Sequence, residues 1–355
     1  MLPVLFIFDL HTRYAVDKDA ITDPHFVACE HFVDWFGQTF RTPQVTIFLG
    51  DVFDRPKENG WVNGLVAKLM GLAKALGPVI VLTGNHDYSR REGSALNMLK
   101  GLGGINVIDI PQLLDVQGLT VLFLPYLYPK TTLFKDTPGE YFVPTMNDFY
   151  SSREKVEQVV PDLFNVEPDL LLGHVGDETS GKFAQDCDLS WFNGKRLLGH
   201  IHHRVNKSFG GSTLITRRDE AGKDSVMIRY EEGEYAEVRV PKFLDYVKIS
   251  YGQPPKPCEG VTVWINDIVD CPDVKLAREE YLKQYGATHF IENFSKKEIV
   301  EADHIVLADG ETTQGKTSRQ HLTEFINNKK PSDRVSAILQ RALNDGKKND
   351  TEVTP

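Results

Sequence analysis

Short apolar runs that each stop at a cluster of Asp, Asn or His constrain this chain more than any other feature. Val4 to Leu10 carries Asp9-Leu10-His11 at its end, and Val45 to Leu49 leads into Gly50-Asp51-Val52-Phe53-Asp54-Arg55. Pro78 to Thr83 leads into Gly84-Asn85-His86-Asp87. Later, Leu170 to Leu172 is followed by Gly173-His174, and Arg196 to Leu198 by Gly199-His200-Ile201-His202. Ile105 to Ile110 and Leu119 to Pro125 have the same strand-like character. Between the early runs, Phe26 to Phe40 and Val62 to Leu76 repeat apolar residues every three or four positions, the period of a helix with one buried face. Strands alternating with helices predict a layered α/β domain. Ligands of such sheets gather beyond the carboxyl ends of the strands. The five polar tips are therefore expected to meet at one site.

Composition narrows what that site can serve. The 355 residues suit one large domain with a smaller one, and 41% apolar with 25% charged residues is ordinary for a globular protein. No apolar run approaches a membrane span. MLPVLFIFDLHTR lacks a basic leader and a small-residue cleavage site, so it reads as a first core strand and not a signal peptide. Cys29, Cys187, Cys258 and Cys271 form no Cys-x-x-Cys pair, which predicts reduced thiols in a cytoplasmic protein. A net charge of -10 argues against coating nucleic acid by bulk electrostatics. It leaves room for a local basic groove, for which Arg13, Arg90, Arg91, Arg204, Lys207, Arg217 and Arg218 are the candidates near the motifs.

The chain changes character near Pro241. Residues 1–240 are expected to form the α/β domain, with Tyr128 to Asp148 as a long loop. Residues 241–295 read as a small α+β domain: strands at Phe243 to Ser250, Val261 to Ile268 and His289 to Phe294, and an amphipathic helix at Val274 to Tyr285. Residues 296–316 read as a linker and 317–355 as a helical tail. In that tail Val335, Ile338, Leu339, Ala342 and Leu343 share one helix face. GETTQGKT, residues 310 to 317, fits a phosphate-loop pattern. Too little chain follows it to supply the further parallel sheet and acidic strand end such a domain needs. It is read as linker, and no nucleotide is expected on this chain.

Carboxylate, imidazole and amide oxygen without thiolate suit Mn, Fe or Zn and disfavour a closed structural zinc site. Asp9, His11, Asp51, Asn85, His174, His200 and His202 suffice for two divalent ions if one carboxylate bridges. Two ions roughly 3.5–4 Å apart can clamp both oxygens of an in-line phosphoryl displacement.

Asp-x-His, Gly-Asp-x-x-Asp, Gly-Asn-His-Asp, Gly-His and Gly-His-x-His, in that order, resemble the calcineurin-like metallophosphoesterase superfamily over residues 4 to about 215. The resemblance implies that Asp9, His11, Asp51 and His202 hold one ion and that Asp51, Asn85, His174 and His200 hold the other, with Asp51 shared. It implies that His86 acts at the scissile phosphate, that Asp54 orients this histidine, and that Arg55 holds a phosphate oxygen. Phe209-Gly210-Gly211-Ser212-Thr213-Leu214-Ile215-Thr216 resembles the stretch after the last motif of SbcD-type DNA nucleases, although members often carry His in place of Asp54. The layout is similar to that of a phage recombination endonuclease subunit that partners an SbcC-like coiled-coil ATPase, which would place the chain in a host cytoplasm. The resemblance implies manganese-dependent cleavage of DNA (Mg, Fe or Zn being the other ions of this class), a homodimer, and a small domain that positions DNA. It also implies a tail docking on the ATPase through Leu322, Phe325, Val335, Ile338, Leu339 and Leu343. A phosphomonoesterase or nucleotide phosphodiesterase on the same metal core is the alternative enzyme, and a noncatalytic scaffold the alternative of another class. His203 reads as a pocket-rim side chain. His25 and His31 read as packing or surface residues, and Asp87 as a turn residue or a carboxylate behind a ligand.

Overall fold

The computed structural model describes residues 1–14, 24–89, 93–128, 131–133, 141–143, 145–181, 185–216, 220, 222–244, 246–249, 262–265 and 289–292. The chain divides into Met1–Ser295 and Lys296–Pro355, and the described residues belong to the first. The expected helix at Val274 to Tyr285, the phosphate-loop pattern, and the tail with Leu322, Phe325, Val335, Ile338, Leu339 and Leu343 lie outside them.

Two sheets form the centre. The first runs, in spatial order, β10 (Glu234–Val240), β9 (Ser225–Glu231), β1 (Val4–Ile7), β2 (Val45–Leu49), β3 (Val79–Leu82) and β4 (Ile105–Ile108). β1 to β4 are parallel, and the β9–β10 hairpin adds antiparallel to the β1 edge. The second sheet runs β8 (Lys195–Leu198), β7 (Leu170–Gly173), β6 (Leu119–Leu124) and β5 (Gln112–Val116). β8, β7 and β6 are parallel, and β5 pairs antiparallel to β6. Outside both, Tyr246–Ile249, Thr262–Ile265 and His289–Glu292 form a parallel three-stranded sheet.

The period of two along each strand decides the layers. Val4, Phe6 and Phe8 face Val121, Phe123, Leu170 and Leu172 across the sandwich. Leu5 and Ile7 point the other way, toward α1 (Pro24–Thr39) and α2 (Gly60–Leu76), where Phe32, Phe36, Val66 and Leu69 pack. Leu122, Leu124, Leu171 and Leu198 cover the opposite outer face with α4 (Met146–Tyr150) and α5 (Arg153–Val159), α3 being the short Asn97–Lys100. Both faces of the central strands β1, β2, β3 and β7 are thus buried, which is why they read as continuous apolar runs and not as alternation. α2 starts where the Asn59 side chain accepts the backbone N–H groups of Trp61 and Val62. The result is a mixed α/β sandwich of two sheets with helices outside.

Tyr128 to Asp148 departs from the expected loop. It contains the antiparallel pair Thr131–Leu133 and Tyr141–Val143 and the start of α4. Three-residue strands are too short to show a periodic pattern. Among the described residues, no helix is long and apolar enough to cross a membrane.

Candidate metal centre

All five parallel strands that end in polar clusters point their carboxyl ends the same way within their sheets. Past β1 and β2 the chains stay side by side: the His11 N–H donates to Asp51 O at 2.8 Å and the Thr12 N–H to Val52 O at 2.9 Å. Asp9, His11, Asp51 and His200 adopt φ of 40°, 45°, 47° and 76°. Left-handed backbone costs a residue with a Cβ roughly 1–3 kcal/mol and persists where the surroundings enforce it. Four candidate ligands in this conformation show how sharply the chain must turn to bring their side chains inward.

Glycine is needed where these turns approach one another. A Cβ on Gly50, itself at φ +87°, would collide with the His174 imidazole. A Cβ on Gly84 would collide with the backbone and carboxylate of Asp51. The strand-tip glycines therefore let the tips of both sheets close on each other.

The side chains meet as one cluster in which Asp9, His11, Asp51 and His174 are buried and Asn85, His200 and His202 half-buried. His11 Nε2 and His202 Nε2 are 2.8 Å apart. Asp51 Oδ2 is 3.4 Å from His11 Nε2 and 3.2 Å from His174 Nε2. Asn85 Oδ1 lies 3.0 Å from His174 Nε2 and 2.9 Å from His200 Nδ1. Asp9 Oδ1 accepts the His200 N–H at 2.8 Å, while Asp9 Oδ2 is buried without a hydrogen-bond partner. One donor atom from each of Asp9, His11, Asp51 and His202 falls within 4.8 Å of the others. A second trio, His11, Asp54 and His86, meets the same limit and shares His11.

Charge in this cluster is unbalanced in the way a cation would correct. Burial raises the Asp9 carboxyl above its usual range, against the pull of His174. Burial alone would raise Asp51 too, but the imidazoles of His174 and His11 outweigh it and hold it well below that range. Burial would lower His174, yet Asp51 and Asp9 push it up to about 10. Desolvation, with His174 beside it, lowers His200 to about 3. Asp51 and Asp9 thus favour the protonated form of His174, and a divalent cation would compete with that proton. The orphaned Asp9 oxygen, the close imidazole nitrogens and the oxygen and nitrogen donors all fit divalent ions.

His86 sits at the rim. Its backbone N–H donates to Asp51 Oδ1 at 2.8 Å, and its Nδ1 donates to the carbonyl of Asp54, also at 2.8 Å. Nε2 is the nitrogen left for a substrate. The Asp54 carboxylate turns elsewhere, with Oδ1 3.3 Å from His11 Nδ1 and Oδ2 3.9 Å from Arg13 and 4.0 Å from Arg55. Burial opposes its ionisation, but His11 and Arg13 hold it at about 2. Arg55 is exposed. Of the other basic candidates, Arg204 pairs with Glu237 at 2.7 Å, Lys207 is exposed, and Arg90, Arg91, Arg217 and Arg218 lie outside the described residues.

The surrounding scaffold is specific. Asp87 accepts the N–H groups of Phe53 and Gly84, both at 2.9 Å, so it ties the second and third tips together. Thr213 brackets Phe8: its hydroxyl accepts the Phe8 N–H and its own N–H donates to Phe8 O, both at 2.9 Å. That contact builds the Gly210–Thr216 segment into the support of Asp9. His25 is buried and donates from Nε2 to the His11 carbonyl at 2.9 Å. Tyr128 donates its hydroxyl to the carbonyls of Asn85 and Tyr88. Two carboxylates escaped the sequence reading. Glu220 Oε1 lies 2.6 Å from His202 Nδ1, and Asp186 Oδ2 lies 3.2 Å from His200 Nε2. Neither belongs to a motif, so no local signal marks them.

Among solved structures, the chain is similar to a novel archaeal phosphodiesterase, 12% identical, over 67% of this chain and 100% of that one, with a TM-score of 0.33. It is also similar to a protein of unknown function from Aquifex aeolicus, 16% identical, over 53% and 89%, with a TM-score of 0.25. A comparison with curated proteins finds no match. The sequence model of calcineurin-like phosphoesterases matches residues 2–204, the span that holds every strand tip described above, and the chain belongs to that family.

Proposed function

We propose that this chain is a metal-dependent nuclease subunit that hydrolyses DNA phosphodiester bonds, working with an SbcC-like coiled-coil ATPase. The observation that carries the two-ion reading is the position of Asp51 Oδ2, within 3.4 Å of His11 and 3.2 Å of His174. One carboxylate oxygen between two imidazole groups is the arrangement a bridging ligand requires. Asp9, His11, Asp51 and His202 would hold one ion and Asp51, Asn85, His174 and His200 the other, with Mn2+ the expected metal. When bound, such ions neutralise charge at phosphorus and lower the pKa of water. His86 Nε2 is the proton donor for the leaving oxygen. Arg55 and Arg13 meet phosphate oxygens at the rim, where Asp54 holds them near the site.

The choice of DNA rests on the Gly210–Thr216 segment, which resembles SbcD-type nucleases and is built into the support of Asp9. It rests also on the order of the segments beyond residue 240: a small domain that positions DNA and a tail, Leu322 to Leu343, that docks on the ATPase. A homodimer acting in the cytoplasm belongs to the same reading.

The test is an assay with Mn2+ comparing end-labelled linear duplex DNA, a small aryl phosphodiester and a small aryl phosphomonoester, with His86→Ala as control. Cleavage of DNA and diester, lost in the variant, is the expected result. Turnover of the monoester alone would overturn the nuclease reading in favour of a phosphatase.

A further inference from the structure

Each of the four candidate-ligand histidines turns one ring nitrogen inward and the other onto a separate protein oxygen. His174 Nδ1 lies 2.8 Å from Leu49 O, His200 Nε2 3.2 Å from Asp186 Oδ2, and His11 Nδ1 3.3 Å from Asp54 Oδ1. His202 Nδ1 makes the shortest of the four approaches, 2.6 Å to Glu220 Oε1. A neutral imidazole carries one proton, so an outer acceptor that takes it leaves the lone pair on the inner nitrogen.

Glu220 is held for this task. It is 2% exposed. Its Oε2 accepts the Thr216 N–H at 2.6 Å, and the Thr216 hydroxyl lies 3.0 Å from Oε1 and 3.2 Å from Oε2. That hydroxyl is also 3.2 Å from His202 Nδ1. Both carboxylate oxygens and the imidazole edge are therefore fixed by one short segment. Its contact with the His202 imidazole comes in addition to those it makes with Thr216. The inner face of the same ring, Nε2, stands 2.8 Å from His11 Nε2 in the group with Asp9 and Asp51.

We infer that Glu220 is a positioning residue that keeps His202 protonated at Nδ1 and presents its Nε2 to the ion shared with Asp9, His11 and Asp51. The inference rests on the metal reading above and goes beyond it in naming what orients the ligand. Outer hydrogen-bond partners of this kind typically govern metal affinity about 10–100-fold.

The test uses the full chain as wild type, Glu220→Gln and Glu220→Ala. Mn2+ affinity is read by titration calorimetry, and the His202 tautomer by nitrogen NMR of the metal-free, histidine-labelled protein, assigned by substituting His202. The expected wild-type tautomer has the proton on Nδ1. Glu220→Ala is expected to weaken Mn2+ binding about 10–100-fold. Glu220→Gln should fall between, because an amide oxygen still accepts but carries no charge. A wild-type proton on Nε2 would overturn the inference, and so would a folded Glu220→Ala variant that binds Mn2+ as tightly as wild type. If Glu220→Ala does not fold, the wild-type tautomer alone decides. A wild type that binds no Mn2+ would sink the metal reading and the inference together. Equal binding by wild type and variant would sink only the inference.

Discussion

Nε2 of His11 and Nε2 of His202 lie 2.8 Å apart although 191 residues separate them in the chain. One follows the first strand of one sheet and the other the last parallel strand of the second sheet. Two imidazole nitrogens so close share a proton or a cation, and the orphaned Asp9 oxygen beside them favours the cation.

In the proposed assignment, Asp51 is the residue both ion groups share. Asp51→Asn leaves one neutral oxygen and a nitrogen donor where a carboxylate stood between His11 and His174. The expected outcome is loss of both ions, measured as Mn per chain after gel filtration, with an unchanged far-ultraviolet circular dichroism spectrum. Full metal content in this variant would show that the carboxylate does not bridge.

His86 stands at the rim with its Nδ1 hydrogen-bonded to the Asp54 carbonyl. His86→Ala should keep the metal content and lower turnover of a diester about 10²–10⁴-fold, the usual worth of a general acid. Metal loss would place His86 among the ligands instead.

Arg196 anchors the start of β8. Its guanidinium meets Asp177 at 2.8 Å, Glu178 at 2.6 Å and the carbonyls of Leu189 and Phe192 at 2.7 and 2.9 Å. Arg196→Ala leaves fully buried Asp177 without this charge. Breaking a buried pair by removing one partner costs about 3 kcal/mol. The urea midpoint should fall accordingly with the slope unchanged.

Glu58 supplies a pH signature. Burial, with the Asp54 carboxylate beside it, pushes its carboxyl up to about 7, and its Oε1 is buried without a partner. A raised folded pKa favours the protonated form, so this group's contribution is fully present below the ordinary value of 4.5 and is lost as pH rises through 7. Glu58→Gln, which cannot ionise, should match wild-type stability at low pH and gain over it as pH passes through this window. Parallel stability curves for the two metal-free proteins across that range would contradict the assignment.

Lys316 tests the phosphate-loop pattern. Lys316→Ala is expected to leave Mn2+-dependent diester cleavage unchanged, and a sharp fall would mean that GETTQGKT binds a phosphate this chain needs.

The strand tips were legible because both faces of β1, β2, β3 and β7 are buried, so the apolar runs stand out and the polar residues that end them are conspicuous. The β9–β10 hairpin was not, because Glu234–Val240 exposes most of its side chains and carries charges throughout. Asp54 shows a subtler limit. The resemblance assigned its side chain to His86, whereas the structure puts its backbone carbonyl on His86 and its carboxylate beside His11. Glu220 had no spacing to mark it: its link to His202, 18 residues away, is a contact between side chains that no local pattern encodes.

By itself the sequence determined the class of fold and the donor chemistry. Those follow from local periodicity and residue type, which need no knowledge of what lies across the sandwich. Tertiary structure decided which nitrogen of each histidine faces the centre, which oxygen of Asp51 stands between the two groups, and which distant oxygen, the Leu49 carbonyl or a carboxylate, backs each ring. These relations are set by distances of about 3 Å between side chains whose directions depend on sheet register and left-handed turns, and hydrogen bonding weakens steeply outside that range.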